Sequence, residues 1–176
     1  MNTTIEFESK TKALIDSLKS VCANYGLGND GNEFKIITQV FLYKFMNDKF
    51  IFEIKKVEPS LNEIDNVEDL LEDMSEEDLE GLLMLLDTDT AVVKPSQFIS
   101  TLFKRQNEPN FATIFDETLL GIASQNSELF SVVTNTGEKV VLFENLSKYV
   151  SDKRDEFCLA IVNKLVGFSF EKIFNE

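Results

Sequence analysis

Three glycines, Gly26, Gly28 and Gly31, interrupt a helix-periodic pattern near the start of the chain, and their setting decides between two kinds of fold. Ahead of them, Leu14, Leu18, Val21, Cys22 and Tyr25 recur at three- and four-residue spacing, which is one face of a helix. Their own spacing is literally G-x-G-x-x-G, the pattern of a dinucleotide-binding turn. That turn needs a strand before it, and an acidic residue at a strand end about 20 positions later. Neither is present. The glycines therefore read as the stop of one helix and the start of another. Gly26 suits a left-handed C′ position, Gly28 or Gly31 can supply further positive φ, and Asn29, Asp30 or Asn32 can cap the incoming helix.

The same period predicts most of the remaining elements. A first helix is expected over about Ile5–Tyr25 and a second over about Glu33–Lys56. The second carries Phe34, Ile37, Val40, Phe41, Phe45, Phe50 and Ile54, so it is expected at the centre of the core. Pro59 and Ser60 end it. Val67, Leu70, Leu71 and Met74 form a short amphipathic piece, and Ser75 through Asp78 is a capping-box-like start ahead of Leu79, Leu82, Leu83 and Leu86. Further helices are expected from Pro95 through Phe103, over Phe111–Ala123, and over about Asp152–Val166. Between the last two the period changes. β-branched runs at 130–134 and 139–143 flank Asn135–Glu138, which predicts one small β-hairpin near 130–143. The expected fold is mainly α, with about six to seven helices in a single domain over 1–166. The stretch 167–176, GFSFEKIFNE, is too apolar for a free terminus and is expected to connect to, or await, a further surface.

Composition removes several chemistries. The chain has no His, so there is no Ser–His or Cys–His nucleophile pair and no imidazole-ligated metal. Its two cysteines lie in apolar periodic segments, where buried free thiols are expected, as in a cytoplasmic protein. No run is long enough to span a membrane, and the start lacks a signal-peptide shape. The net charge of −14 is local in origin. Twelve acidic residues and no basic ones fall between Leu61 and Thr90, which leaves the rest of the chain at −2. Such a block is ordinarily a solvated face, or a surface held away from nucleic acid.

The segment Leu42-Tyr-Lys-Phe-Met-Asn-Asp-Lys-Phe50 runs aliphatic, aromatic, Lys, aromatic, aliphatic, small polar, Asp, basic, aromatic. It resembles a segment near the start of the modification (HsdM) subunits of type I restriction-modification systems. The order of elements is also similar: an opening helix, a Gly- or Asn-containing loop, this helix, an insert of variable acidity, then more helices. The resemblance covers the whole chain as that family's helical N-terminal domain. It implies a parent subunit that is an S-adenosylmethionine-dependent DNA adenine-N6 methyltransferase, with a catalytic domain after the helical one. That domain's Gly-rich cofactor loop and Asn-Pro-Pro-aromatic motif are absent here; Asn107-Glu-Pro-Asn110 has the wrong order. No catalytic, cofactor or metal residue therefore carries over. The implied partners are a specificity subunit, a second modification subunit and a restriction subunit, with DNA bound only within the complex.

Candidate contacts to DNA backbone or partners are Lys35, Lys44, Lys49, Lys104, Arg105, Lys153 and Arg154. Together with Lys55 and Lys56, the lysines of the second helix either form a phosphate-facing stripe or solvate the outer face of a core helix. Their spacing does not put them all on one face, which favours solvation. Lys44 and Asp48 are placed for a local i,i+4 pair. A functional alternative of another class is a free-standing acidic interaction protein, such as a DNA mimic or an inhibitor of a nucleic-acid enzyme. A mimic needs carboxylates spread along an extended track, whereas here they are concentrated in one segment.

Overall fold

The computed structural model describes residues 2–130 and 142–174, with side chains from residue 4 onward. It is mainly helical, as the periodicity predicts. The α-helices are α1 (Asn2–Asn24), α2 (Gly31–Val57), α3 (Val67–Asp73), α4 (Glu76–Leu83), α5 (Ile99–Lys104), α6 (Phe111–Gln125), α7 (Arg154–Leu165) and α8 (Glu171–Phe174). Short 3-10 turns at Pro59–Glu63, Pro95–Gln97 and Leu146–Tyr149 link them. The hairpin expected at 130–143 falls almost wholly on 131–141, outside the described residues. Its described ends, Phe130 and Leu142–Phe143, are turn and irregular backbone, so no strand is found among the described residues.

The glycine loop is a helix stop and start. Leu27 N–H donates to Cys22 C=O (2.8 Å) and Gly26 N–H to Ala23 C=O (3.2 Å), with Gly26 at φ 84°. That is a Schellman closure, sealed by the buried side chains of Leu27 and Cys22. The second positive φ falls on Asn29 (59°), not on Gly28 or Gly31. Of the three candidate caps Asp30 acts: its carboxylate accepts the Asn32 N–H at 2.8 Å.

Two helices organise the core. The first is α7, whose Phe157, Cys158, Ile161, Val162 and Leu165 are all buried and which packs against α1, α5 and α6. The second is α2, which meets α1, α4 and α8. It buries Ile36, Val40, Tyr43, Met46, Phe50 and Ile54. Phe34, expected inward, is 75% exposed. The helix is apolar around most of its circumference, so periodicity alone could not select the inward face. The short α4 buries no residue fully; Leu82 and Leu83 only lean on the core. No helix among the described residues is long and apolar enough to cross a membrane.

Candidate functional site

The predicted cations do not converge on one surface. Lys44 lies inside the protein, 6% exposed, and pairs with Asp48 at 3.1 Å. Lys49 pairs with Glu53 (2.9 Å) and lies over the rings of Phe52 and Phe174. Lys56 meets the same Glu53 at 3.1 Å, and Lys55 meets Glu171 at 2.9 Å. Lys35 is exposed, with its ammonium 6.0 Å from the Tyr149 ring centroid. Lys104 is held by Asp69 and by Glu72 (2.8 Å), whose hydrogen bonds push its pKa upward. Arg105 pairs with Glu108 at 2.9 Å. Lys153 takes a left-handed backbone (φ 52°) just before α7, and the Arg154 guanidinium donates to Val150 C=O at 3.0 Å. Lys153 and Lys164 do share a cleft of about 530 Å³ between α1 and α7. Asp152 and Glu156 line it too, so it is no anion cradle.

What the fold does assemble is a polar latch on the inward side of α2. Tyr43, Lys44, Asn47 and Asp48 stand at i, i+1, i+4 and i+5, which places them on one stripe of the helix. Each reaches a chain segment distant in sequence or a neighbour in the stripe. The Tyr43 hydroxyl donates to Gln97 C=O. Asn47 Oδ1 accepts the Ile99 N–H at 2.9 Å, satisfying the first free donor of α5. Asn47 Nδ2 donates to Asp48 Oδ1 at 3.0 Å, and Asp48 Oδ2 accepts the Phe170 N–H at 2.8 Å. Asp48 thus takes a cation, an amide and a backbone donor while only 9% exposed. A carboxylate buried that deeply is tolerable only with this many partners.

The chain end bound by the latch forms an aromatic strap. Phe168 and Phe170 are buried, and their rings stack edge-on at 4.8 Å between centroids. Phe170 meets Phe41 (5.1 Å) and Phe45 (5.5 Å), and Phe174 meets Phe45 and Phe52 (both 5.4 Å). Phe7 of α1 closes over both Phe168 and Phe170 at 5.9 Å. The apolar surface noted after Gly167 is thus spent, through Phe174, on α1 and α2. The i,i+4 spacing predicts the Lys44–Asp48 pair, which forms, but Lys44 was expected on the solvated face of the helix and is instead buried. The polar stripe inside an apolar helix was the available signal for burial, but its partners at 97–99 and 170 are invisible to periodicity.

Two smaller networks tie the stretch around Glu144–Ser147 to α2 and α6. Glu144 accepts hydrogen bonds from Gln39 (3.1 Å), Lys148 (2.8 Å) and Tyr149 (2.6 Å); Lys148, then Tyr149, hold its pKa down to about 2. Asp116 accepts from the Ser147 N–H (3.2 Å) and hydroxyl, while burial pushes its pKa upward. Burial also pushes the Cys22 thiol up to about 11 and the Cys158 thiol higher still, so neither is poised as a nucleophile. Among the described residues there is no group of ligands fit to hold a metal ion.

The acidic segment is built on the opposite plan. Of its twelve carboxylates, only Asp69 and Glu72 meet a cation among the described residues, both through Lys104. Ser75 caps α4, accepting the Asp78 N–H at 3.2 Å as its spacing predicts. Met84, just past the helix, is 84% exposed, and Leu85 is exposed beside it.

No protein-family model, curated protein or solved structure matches this chain.

Proposed function

We propose that this chain is the N-terminal helical domain of a type I restriction-modification DNA adenine-N6 methyltransferase subunit. Its role in that reading is subunit assembly and closure of the complex around DNA. The observation that carries the reading is the Leu42–Phe50 segment, supported by the order of elements on either side. The segment's polar positions, Lys44, Asn47 and Asp48, are all taken up in holding the domain together. A domain whose signature residues face inward contributes shape and contact surface, and leaves chemistry to the rest of its subunit. S-adenosylmethionine then belongs to the catalytic domain, base readout to the specificity subunit, and any DNA contact made here is to the backbone.

Co-expression tests it. This chain, the catalytic region of its modification subunit and the matching specificity subunit should co-elute and methylate adenine together, while the chain alone titrates no S-adenosylmethionine in calorimetry. Stoichiometric cofactor binding by the chain alone, or its absence from the purified assembly, contradicts the reading.

A second reading, a free-standing acidic interaction protein, draws on the ten carboxylates of residues 61–90 that meet no cation among the described residues. Such a protein competes with DNA for a nucleic-acid enzyme. A mimic's charge must follow a phosphate track, however, and here it sits in one segment. Competition binding against duplex DNA separates the two.

A further inference from the structure

Phe34 is the most exposed aromatic side chain described, at 75%, and it borders a groove of about 690 Å³ between α1 and the first turns of α2. Other rings of this protein find partners: Phe41 packs on Phe170 at 5.1 Å, and the Lys49 ammonium lies over Phe52 and Phe174. Among the described residues, neither a ring nor an ammonium lies against Phe34. A large ring left in water beside an unfilled apolar groove marks a contact or ligand site.

The groove has two unlike ends. Glu33, Ile37 and Phe41 follow at i, i+4 and i+8 along one stripe of α2, over about 12 Å. Glu33 stands with Asp30 by the glycine loop, and Lys19 of α1 lies one turn nearer that loop than Ile15. One end is therefore charged, while Ile15, Ile37 and Phe41 make the other apolar. Both carboxylates are held in place: Asp30 Oδ1 accepts the Asn32 N–H (2.8 Å), and Glu33 Oε2 the Asn29 N–H (3.1 Å). Each keeps its second oxygen uncommitted among the described residues. The ion pairs of α1 are those of Glu6 with Lys10 and Lys172, and Lys19 joins none. Two carboxylates against one ammonium leave the charged end net negative.

We infer that this groove binds a small apolar amine, an ammonium carried on an apolar tail. The ammonium sits among the free oxygens of Asp30 and Glu33 and the face of Phe34. The tail lies over Ile15, Ile37 and Phe41. The volume falls within the roughly 300–1,000 Å³ of small-molecule sites. Tail burial supplies most of the affinity, since ion pairs in water contribute little. The head supplies the selectivity: an acid of the same shape meets two carboxylates at close range. Lys19 and the α2 N-terminus oppose a cation and keep that selectivity modest. The inference stands apart from the methyltransferase reading and survives its failure.

Calorimetric titration of the whole chain tests it, with 4-phenylbutylamine as the probe and 4-phenylbutyrate as the anion of matching shape. The amine should bind one to one with a Kd on the order of 0.1–1 mM, about tenfold tighter than the acid. Phe34→Ala and Glu33→Gln should each weaken it about fivefold or more. Lys19→Gln should tighten it, a gain that structural damage does not produce. Circular dichroism confirms that each variant is folded. No saturation by roughly 10 mM amine, an acid that binds as tightly, or binding indifferent to Phe34→Ala and Glu33→Gln would overturn the inference. So would a Phe34-dependent dimer in sedimentation equilibrium that the amine does not dissociate.

Discussion

α2 and the 61–90 segment are both rich in charge, yet they use it in opposite ways. In α2 from Lys44 onward the charges turn inward or pair at once: Lys44 with Asp48, Lys49 and Lys56 with Glu53, Lys55 with Glu171. In 61–90 ten carboxylates face water with no cation among the described residues, and α4 buries nothing fully. Charge in the first region therefore sets which segments meet; in the second it sets what the surface repels. Formal charge is a poor guide to contact surface unless burial is known.

Asp48→Ala should break the comparison hardest. It strips the Phe170 N–H of its acceptor and leaves the Lys44 ammonium buried without its anion, so a loss of about 4 kcal/mol is expected in urea unfolding. Replacing both partners with apolar residues (Lys44→Met with Asp48→Leu) should recover part of that loss, since the unpaired charge is gone while the orphaned amide remains. Phe170→Ala comes next. It removes a ring packed on Phe41, Phe45 and Phe168, at a cost of about 3 kcal/mol. Limited proteolysis should then cut near Gly167 first.

Glu144 gives a smaller, pH-dependent effect. Lys148 and Tyr149 hold its folded pKa near 2, below that of an unfolded glutamate. The folded state therefore binds its proton less readily. The stabilisation is complete above about pH 4.3 and is lost as pH falls toward 2. Glu144→Gln should flatten that part of the stability–pH profile: the variant is less stable than the wild type at neutral pH and converges on it as pH falls toward 2. The smallest effect belongs to the other region: Glu80→Ala, on α4, should change stability by no more than about 0.5 kcal/mol. A large loss there would mean the acidic face is structural after all.

Much of this fold was legible in the sequence, because its signals are local. The period-3.6 pattern marks helices wherever one face is apolar, and Gly26, Asp30 and Ser75 mark their ends through chemistry local to a few residues. Two things were not legible. The inward face of α2 could not be chosen, because Phe34, Phe41 and Phe45 offer one apolar side and Val40, Tyr43 and Ile54 another. The fate of the candidate cations was hidden in part: Lys44, Lys49 and Arg105 meet carboxylates three or four residues away, but Asp69 and Glu72 reach Lys104 across more than thirty residues. The donor that engages Asp48 lies 122 residues away.

The central claim is that Asp48 holds the C-terminal strap closed from inside the core, and amide hydrogen exchange at Phe170 reads it directly. In the wild type that amide should exchange as slowly as core helical amides of α7. In Asp48→Asn it should exchange many-fold faster, while the α7 amides stay protected. A Phe170 amide that already exchanges at the rate of an unstructured chain end in the wild type would contradict the account.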